Sequence, residues 1–410
     1  MSFINGYVFE VNEFPVKDGN CTVKDYFYYD SNVKEYGDRL LIVPVSEIAN
    51  KEVLPDIDTI KTLINNNVFF MTRSVDFENK KENWTFNTNS LEENKQMTKH
   101  VKWVIAHEPI GLFLKVAERF ANEVNEKTNG AFDIEVLSLT DYTNKYNGGQ
   151  KITKNELMKL VDNGTIEMSH IYTTWLADYN KDLHALDLPF LFRDHAHADA
   201  VLEGSVGAEL LAGVAANSNT HAMSFTYSGG YRVVPANFKA DTVEAWQGKT
   251  VRTSRSPVAV ETFKLLGAEP KEHIALEEMN AAADAGLIEA GESTYVRVFP
   301  LDQHKSFKVV NDTAHSLFLT SIIVNQDFFK QFDAETQEIL STAAFNAARQ
   351  ERRESVADIP NILAQCEAEG VEVVKMTAEQ EARFKEVTAP VYAKFADYFT
   401  PGLVEKIQLH

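Results

Sequence analysis

Apolar and polar positions change rhythm once along this chain, near residue 100. Before that point they alternate in short aromatic runs: Tyr7 and Phe9, Tyr26 to Tyr29, Leu40 to Val45, and Val68 to Met71. A period of two predicts strands. Asp18-Gly19 is a hairpin turn signal, and Ile57 to Ile64 is a single stretch of helical spacing. The polar run from Asn87 to Thr98 reads as a linker. The expectation for residues 1–100 is a small β-rich module.

From Lys102 onward strands and helices alternate. Residues 102–106 (KWVIA) read as a buried strand. Leu112, Val116, Phe120 and Val124 then recur at helical spacing up to the stop signal Gly130. Phe132 to Leu139 predicts the next strand. Thr153 and Glu156 form a capping box opening a short helix that ends at Asn163-Gly164, and Glu167 to Tyr172 returns to strand. Such units imply a mostly parallel sheet with right-handed crossovers. A helix from about Ala198 to Val214, a strand at His221 to Tyr227, and helices at Pro257 to Leu266 and Leu276 to Ala285 follow, the last two closed by Gly267 and Gly286. His315 to Val324 is a long apolar strand. Asp333 to Glu369 keeps helical periodicity far beyond an ordinary helix, with Pro360 a kink point, long enough to bridge two lobes. Val371 to Met376 and a Thr377/Gln380 cap begin the last strand and helix.

Within this pattern, residues 229–254 carry two arginines in short β-type runs. Arg232 lies in Tyr231 to Val234 and Arg252 in Lys249 to Thr253, with a turn of helix near Asp241 to Gln247 between them. A guanidinium stays charged at any working pH and offers a planar fork of donors that matches a carboxylate, so the pair suggests an anion clamp. The alternative on spacing alone is two solvated surface residues.

Composition narrows the partners. The chain has 410 residues, which predicts two or three domains. Residues 1–100 hold one alanine and residues 101–410 hold 39, so the change of rhythm is also a domain boundary. With 60 Asp and Glu against 40 Lys and Arg, the net charge of -20 repels phosphate backbones and anionic lipid heads, which argues against nucleic acid. Any anionic ligand must be held by locally concentrated positive charge. Cys21 and Cys366 fall in different predicted domains and share no zinc-type spacing with histidine. The N-terminus reads as neither a signal peptide nor a membrane span, and no apolar run reaches the length of a spanning helix. No nucleophile elbow or glycine-rich nucleotide loop stands out, and no cofactor is expected. His195 and His197 are two apart at a helix start and point in different directions, which disfavours a metal.

The segment LPFLFRDHAHADAVLEGSVGAELL (residues 188–211) resembles the substrate-binding proteins of TRAP transporters, the tripartite uptake systems for organic acids. The likeness runs in order from about Lys102 to about Phe399, through VKWVIAHEPIGLFLKVAERFANEV, LMKLVDNGTIEM, GGYRVVPAN, AWQGKTVRTSRSPVAVETFKLLGAEP and TAHSLFLTSIIVNQDFF. It implies an α/β, two-lobed clamshell of the periplasmic-binding-protein type, with mixed sheets and a long connecting helix. Lobe I would comprise residues 101–229 plus about 318–357, and lobe II residues 230–317 plus about 358–400, with 401–410 a helical tail. By the same resemblance Arg252 makes the principal salt bridge to a ligand carboxylate and Arg232 a second basic contact. Tyr172 and Trp175 fall where family members present pocket side chains, and His107 and His315 sit at matched positions. The implied activity is solute capture rather than catalysis, with a small organic acid and, after export, the transporter's membrane subunits as partners.

Two departures bear on that reading. Residues 286–294 read GLIEAGEST, with Ser293 where the family usually has a ligand-touching asparagine. The family also implies a periplasmic location and a cleavable signal, whereas this chain starts with about 100 further residues. The alternative is therefore an adaptor that reuses the clamshell and is anchored through residues 1–100 to a larger assembly, such as a virion.

Overall fold

The structure, a computed structural model, describes six strands by their backbone within residues 1–97, and residues 98–107 and 111–410 with their side chains. The Asp18-Gly19 turn, the Ile57 to Ile64 helix and the linker up to residue 97 lie outside the described residues. The chain divides into two units, Met1–Thr98 and Lys99–His410. In the first, β1 (Ser2–Ile4), β2 (Tyr7–Pro15), β3 (Thr22–Asp30) and β4 (Leu41–Pro44) pair antiparallel in chain order, and β5 (Met71–Asp76) pairs antiparallel with β6 (Lys81–Phe86).

The larger unit holds two mixed sheets. The first joins β7 (Lys99–Ile105), β8 (Phe132–Ser138), β9 (Met168–Tyr172), β10 (Thr220–Tyr231) and β16 (Leu317–Asn325) in the order β10-β16-β9-β7-β8. β7, β8 and β9 run parallel, and β16 lies antiparallel to both neighbours. Helices cover both faces, and all nine residues of β16 are buried, its polar Thr320 and Ser321 partnered by His170 (3.0 Å) and Thr173 (2.8 Å). The period of two sorts the strand residues: Val101, Trp103 and Ile105 face one core with Phe113, Phe120 and the alanines of helix Ala334–Ala357. Val104 faces the other, with Leu157, Val201 and Leu210.

The second sheet has the order β13-β12-β14-β11-β15-β17, from β11 (Val234–Ala236), β12 (Thr250–Arg252), β13 (Glu269–Lys271), β14 (Ala290–Gly291), β15 (Val309–Asp312) and β17 (Glu372–Lys375). Its core centres on Trp246, Phe263 and Phe384. The chain passes between the sheets at residues 232–233 and again at 313–316. The two crossings are tied to each other, the Arg232 N–H donating to Ser316 O (2.8 Å) and the Ala314 N–H to Arg232 O (3.1 Å).

The third crossing is the predicted long helix, which the structure divides into Ala334–Ala357 and Ile359–Ala368 at Asp358. Pro360 lies at the start of the second piece, where its missing N–H costs least. The helix expected over 198–214 is likewise two, His195–Glu203 and Ser205–Ala216. Gly204 is extended between them, and a Cβ at Gly207 would lie 2.3 Å from Leu202 O. In the last helices Val391, Phe395 and Phe399 share an apolar cluster with Leu403 and Ile407, with Leu210 and with Val258. No helix among the described residues is long and apolar enough to cross a membrane.

Candidate functional site

Charged side chains collect where the two crossings meet the ends of β9, β12 and β14. At the end of β10, Gly229 and Gly230 adopt φ of +100° and +88°, and the pairing with β16 slips between Tyr227 and Gly230. Only glycine fits the first position, because a Cβ there would lie 2.4 Å from both Thr294 Oγ1 and Val296 Cγ2. The irregularity delivers Arg232 to the crossing with its side chain turned inward, 1% exposed. Its guanidinium lies over the Phe318 ring, 4.0 Å from the centroid. Its carboxylate neighbours stand at ion-pair rather than hydrogen-bond range: Glu292 at 3.7 Å from Nε and Asp187 at 3.8 Å from Nη2. Nη1 is buried and makes no hydrogen bond.

Arg252 closes β12 and is 8% exposed. Its Nε donates to Ile274 O (2.9 Å), while Nη1 is again buried without a hydrogen bond. Burial, with Arg232 nearby, lowers its pKa to about 10 against the pull of Glu292, which leaves it protonated at neutral pH. Glu292, just past β14, is fully buried between the two arginines. Its backbone N–H donates to Arg252 O (2.9 Å). Its carboxylate accepts from Thr253 Oγ1, Ser254 N (3.1 Å) and His315 Nε2 (2.9 Å). Burial alone would raise this carboxyl, but Arg232, His315 and Thr253 hold it far below the usual range.

A third guanidinium, Arg297, is 1% exposed and has two donors committed, Nε to Ser228 Oγ (2.8 Å) and Nη2 to the Tyr172 hydroxyl (2.7 Å). Tyr172 is thereby fixed between Phe318 (centroids 4.8 Å apart) and His107, on which it stacks at 3.4 Å. Both ring nitrogens of His107 are buried without a hydrogen bond among the described residues. Burial, then Lys154, Arg297 and His170, push its pKa well below the ordinary value, so the imidazole is neutral. Lys154, which begins a first-lobe helix, pairs with Glu277 from the second lobe, and Arg255 grips Asp178 bidentately (2.9 and 3.2 Å). Both ion pairs tie one lobe to the other.

Of the residues singled out from sequence, Arg232, Arg252, Tyr172 and His107 thus come together. Trp175 lies under Arg255, its ring centroid 4.3 Å from the guanidinium carbon, and is partly exposed. Ser293 is fully buried, bridges to Val233 and donates to Gln303 Oε1 (2.7 Å). Sequence reasoning missed Glu292, Arg297, Lys154, Glu277 and Asp187. The Glu in GEST was a signal for the first, whereas nothing local marks Arg297. His195 and His197 do diverge, to the Tyr227 hydroxyl (3.1 Å) and to Ile407 O (2.8 Å). No group of metal-ligating side chains stands among the described residues.

The arrangement presents unspent guanidinium donors in a buried setting, where charge-assisted hydrogen bonds to an anion are strongest. In comparisons with known proteins, residues 106–398 match the family model for bacterial extracellular solute-binding protein, family 7. The C4-dicarboxylate-binding periplasmic protein DctP of Rhodobacter capsulatus is 25% identical over 293 residues, 69% of this chain and 82% of that protein. The 2,3-diketo-L-gulonate-binding periplasmic protein YiaO of Escherichia coli is 25% identical over 258 residues, 63% of this chain and 75% of that protein. Among solved structures, a TRAP periplasmic solute-binding protein of Sulfurospirillum deleyianum with bound succinate superposes with a TM-score of 0.66 at 23% identity, covering 76% of this chain and 98% of that one. One from Xanthobacter autotrophicus with bound β-D-galacturonate gives a TM-score of 0.66 at 24% identity, covering 75% and 99%. These likenesses identify the fold of the larger unit as the two-lobed one of the TRAP binding proteins.

Proposed function

This chain belongs to the bacterial extracellular solute-binding proteins of family 7, and from that membership we propose that its larger unit captures a small organic acid by its carboxylate between the two lobes. The observation that carries the reading is the pair of buried, hydrogen-bond-free Nη1 atoms on Arg232 and Arg252. A buried donor left unpaired costs about 1–3 kcal/mol, more when charged, and a carboxylate satisfies both at once. The relatives point the same way, since the curated and solved proteins above carry names or ligands that are organic acids. Arg252 takes the principal contact and Arg232 the second, while Glu292 holds Arg232 in place. The membrane subunits of a tripartite transporter would receive the solute. Residues 1–100, for which the sequence raised a larger assembly, fall outside the family match.

Titration calorimetry with keto acids, dicarboxylates and hexuronates tests the proposal. Arg252→Ala should weaken the best ligand by roughly ten- to hundredfold, the equivalent of about 1.5–3 kcal/mol for a charge-assisted pair. An affinity unchanged in Arg252→Ala would refute the carboxylate clamp.

A further inference from the structure

The site's donors and acceptors can be sorted into those already spent and those still available, and the remainder has a definite chemistry. Arg297 commits Nε to Ser228 and Nη2 to Ser228 and Tyr172, which fixes the tyrosine and leaves Nη1 uncommitted. Lys154 is paired with Glu277. Arg232 and Arg252 are the two arginines of the site whose Nη1 is buried without a hydrogen bond among the described residues, a pair that suits one carboxylate. Among the described residues, the four cations Arg232, Arg252, Arg297 and Lys154 stand against the three carboxylates Glu292, Glu277 and Asp187, an excess of a single positive charge that one carboxylate neutralises. Asp187 Oδ2 is itself buried and without a hydrogen bond, which makes a second carboxylate beside Arg232 unfavourable.

His107 is a further group left without a partner among the described residues. It lies across the stack of Tyr172 and Phe318 from Arg232, with both ring nitrogens buried and unpartnered among the described residues. Phe113, His170, Tyr172, Lys154 and Arg297 surround it, and none of them accepts a proton from it or donates one to it. A neutral imidazole offers one donor and one acceptor, which matches a hydroxyl group, or a carbonyl through the donor alone. Resting on the reading of carboxylate capture, we propose that the ligand is a monocarboxylic acid bearing an uncharged hydroxyl or carbonyl group remote from the carboxylate, and that His107 is the residue that selects it.

Four acids that separate these features test the assignment by calorimetry: gluconate and D-glucuronate (one carboxylate with hydroxyls), glucarate (two carboxylates with hydroxyls) and hexanoate (one carboxylate alone). Gluconate or glucuronate should bind at least tenfold tighter than glucarate and hexanoate. His107→Phe, which keeps a ring on Tyr172, should cut that affinity at least fivefold while sparing hexanoate, and His107→Gln, which keeps a donor and an acceptor, should restore most of it. Glucarate or succinate binding as tightly as gluconate, and lost in Arg252→Ala, would leave carboxylate capture standing and overturn the inference. So would a preference for gluconate over hexanoate that His107→Phe leaves intact. If no acid of either panel binds, or Arg252→Ala binds each as the wild type does, the carboxylate reading falls and this inference with it.

Discussion

Replacing Glu292 by glutamine keeps the shape of the side chain and removes its charge, which isolates what that charge does where the lobes join. The carboxylate is fully buried and accepts from Thr253, from the Ser254 backbone and from His315, with Arg232 3.7 Å away. In Glu292→Gln one oxygen becomes an NH2 group facing a former donor, and Arg232 keeps only Asp187 at 3.8 Å as its counter-charge. Hydrogen bonds to a charged group are worth about 1.5–3 kcal/mol each, and removing one partner of a buried ion pair costs about 3–5 kcal/mol. The expected loss is about 3–5 kcal/mol, read as a drop of roughly 5–15 °C in the unfolding transition of the larger unit. The pH dependence supplies a second check. Because the folded carboxyl is depressed, its contribution is complete above the unfolded value of about 4.3 and disappears as pH falls through and below that point. Wild type and Glu292→Gln should therefore differ by a constant amount from pH 5 to 8 and converge in acid. A variant within about 1 kcal/mol of wild type at pH 7 in urea denaturation would refute the idea that Arg232 depends on this counter-charge.

Other perturbations follow from the same geometry. Glu351, fully buried in the long helix, accepts from Tyr227 N (2.6 Å) and Ser355 Oγ (2.6 Å), and burial pushes its carboxyl up to about 8. The folded state then binds the extra proton between about pH 4.3 and 8, so stability should fall with rising pH by up to about 1.4 kcal/mol per unit, and Glu351→Gln should flatten that slope in pH-resolved denaturation. Gly229→Ala must hold alanine at a φ of +100° against Thr294 and Val296 and should cost about 2–4 kcal/mol, visible as a lower melting temperature with ligand affinity also reduced. Arg255→Ala breaks the partly exposed grip on Asp178 and should speed ligand release by no more than about fivefold in stopped-flow, with the difference shrinking at high salt.

The larger unit was legible in sequence because its strands are buried on both faces or sorted by parity. The mostly apolar β16, interrupted by Thr320 and Ser321, and the alternating Val101, Trp103 and Ile105 leave a pattern that needs no tertiary information to read. Helix ends were less legible. Gly204 and Asp358 interrupt helices whose apolar spacing continues past them, and the interruption is decided by what packs alongside, as at Gly207 against the Leu202 carbonyl. The two arginines were visible because a guanidinium in an apolar strand context is conspicuous. Their partners were not, since Glu292 bonds Thr253 across 39 positions and Arg297 bonds Tyr172 across 125. That asymmetry bears on ligand class. Counting cations in the sequence of this site would suggest room for a dianion, because nothing local reveals that Arg297 and Lys154 are already engaged. Only the fold shows that Arg297 is turned to Tyr172 and Lys154 to Glu277, and the proposal of a ligand with one negative charge and one neutral polar group rests on that.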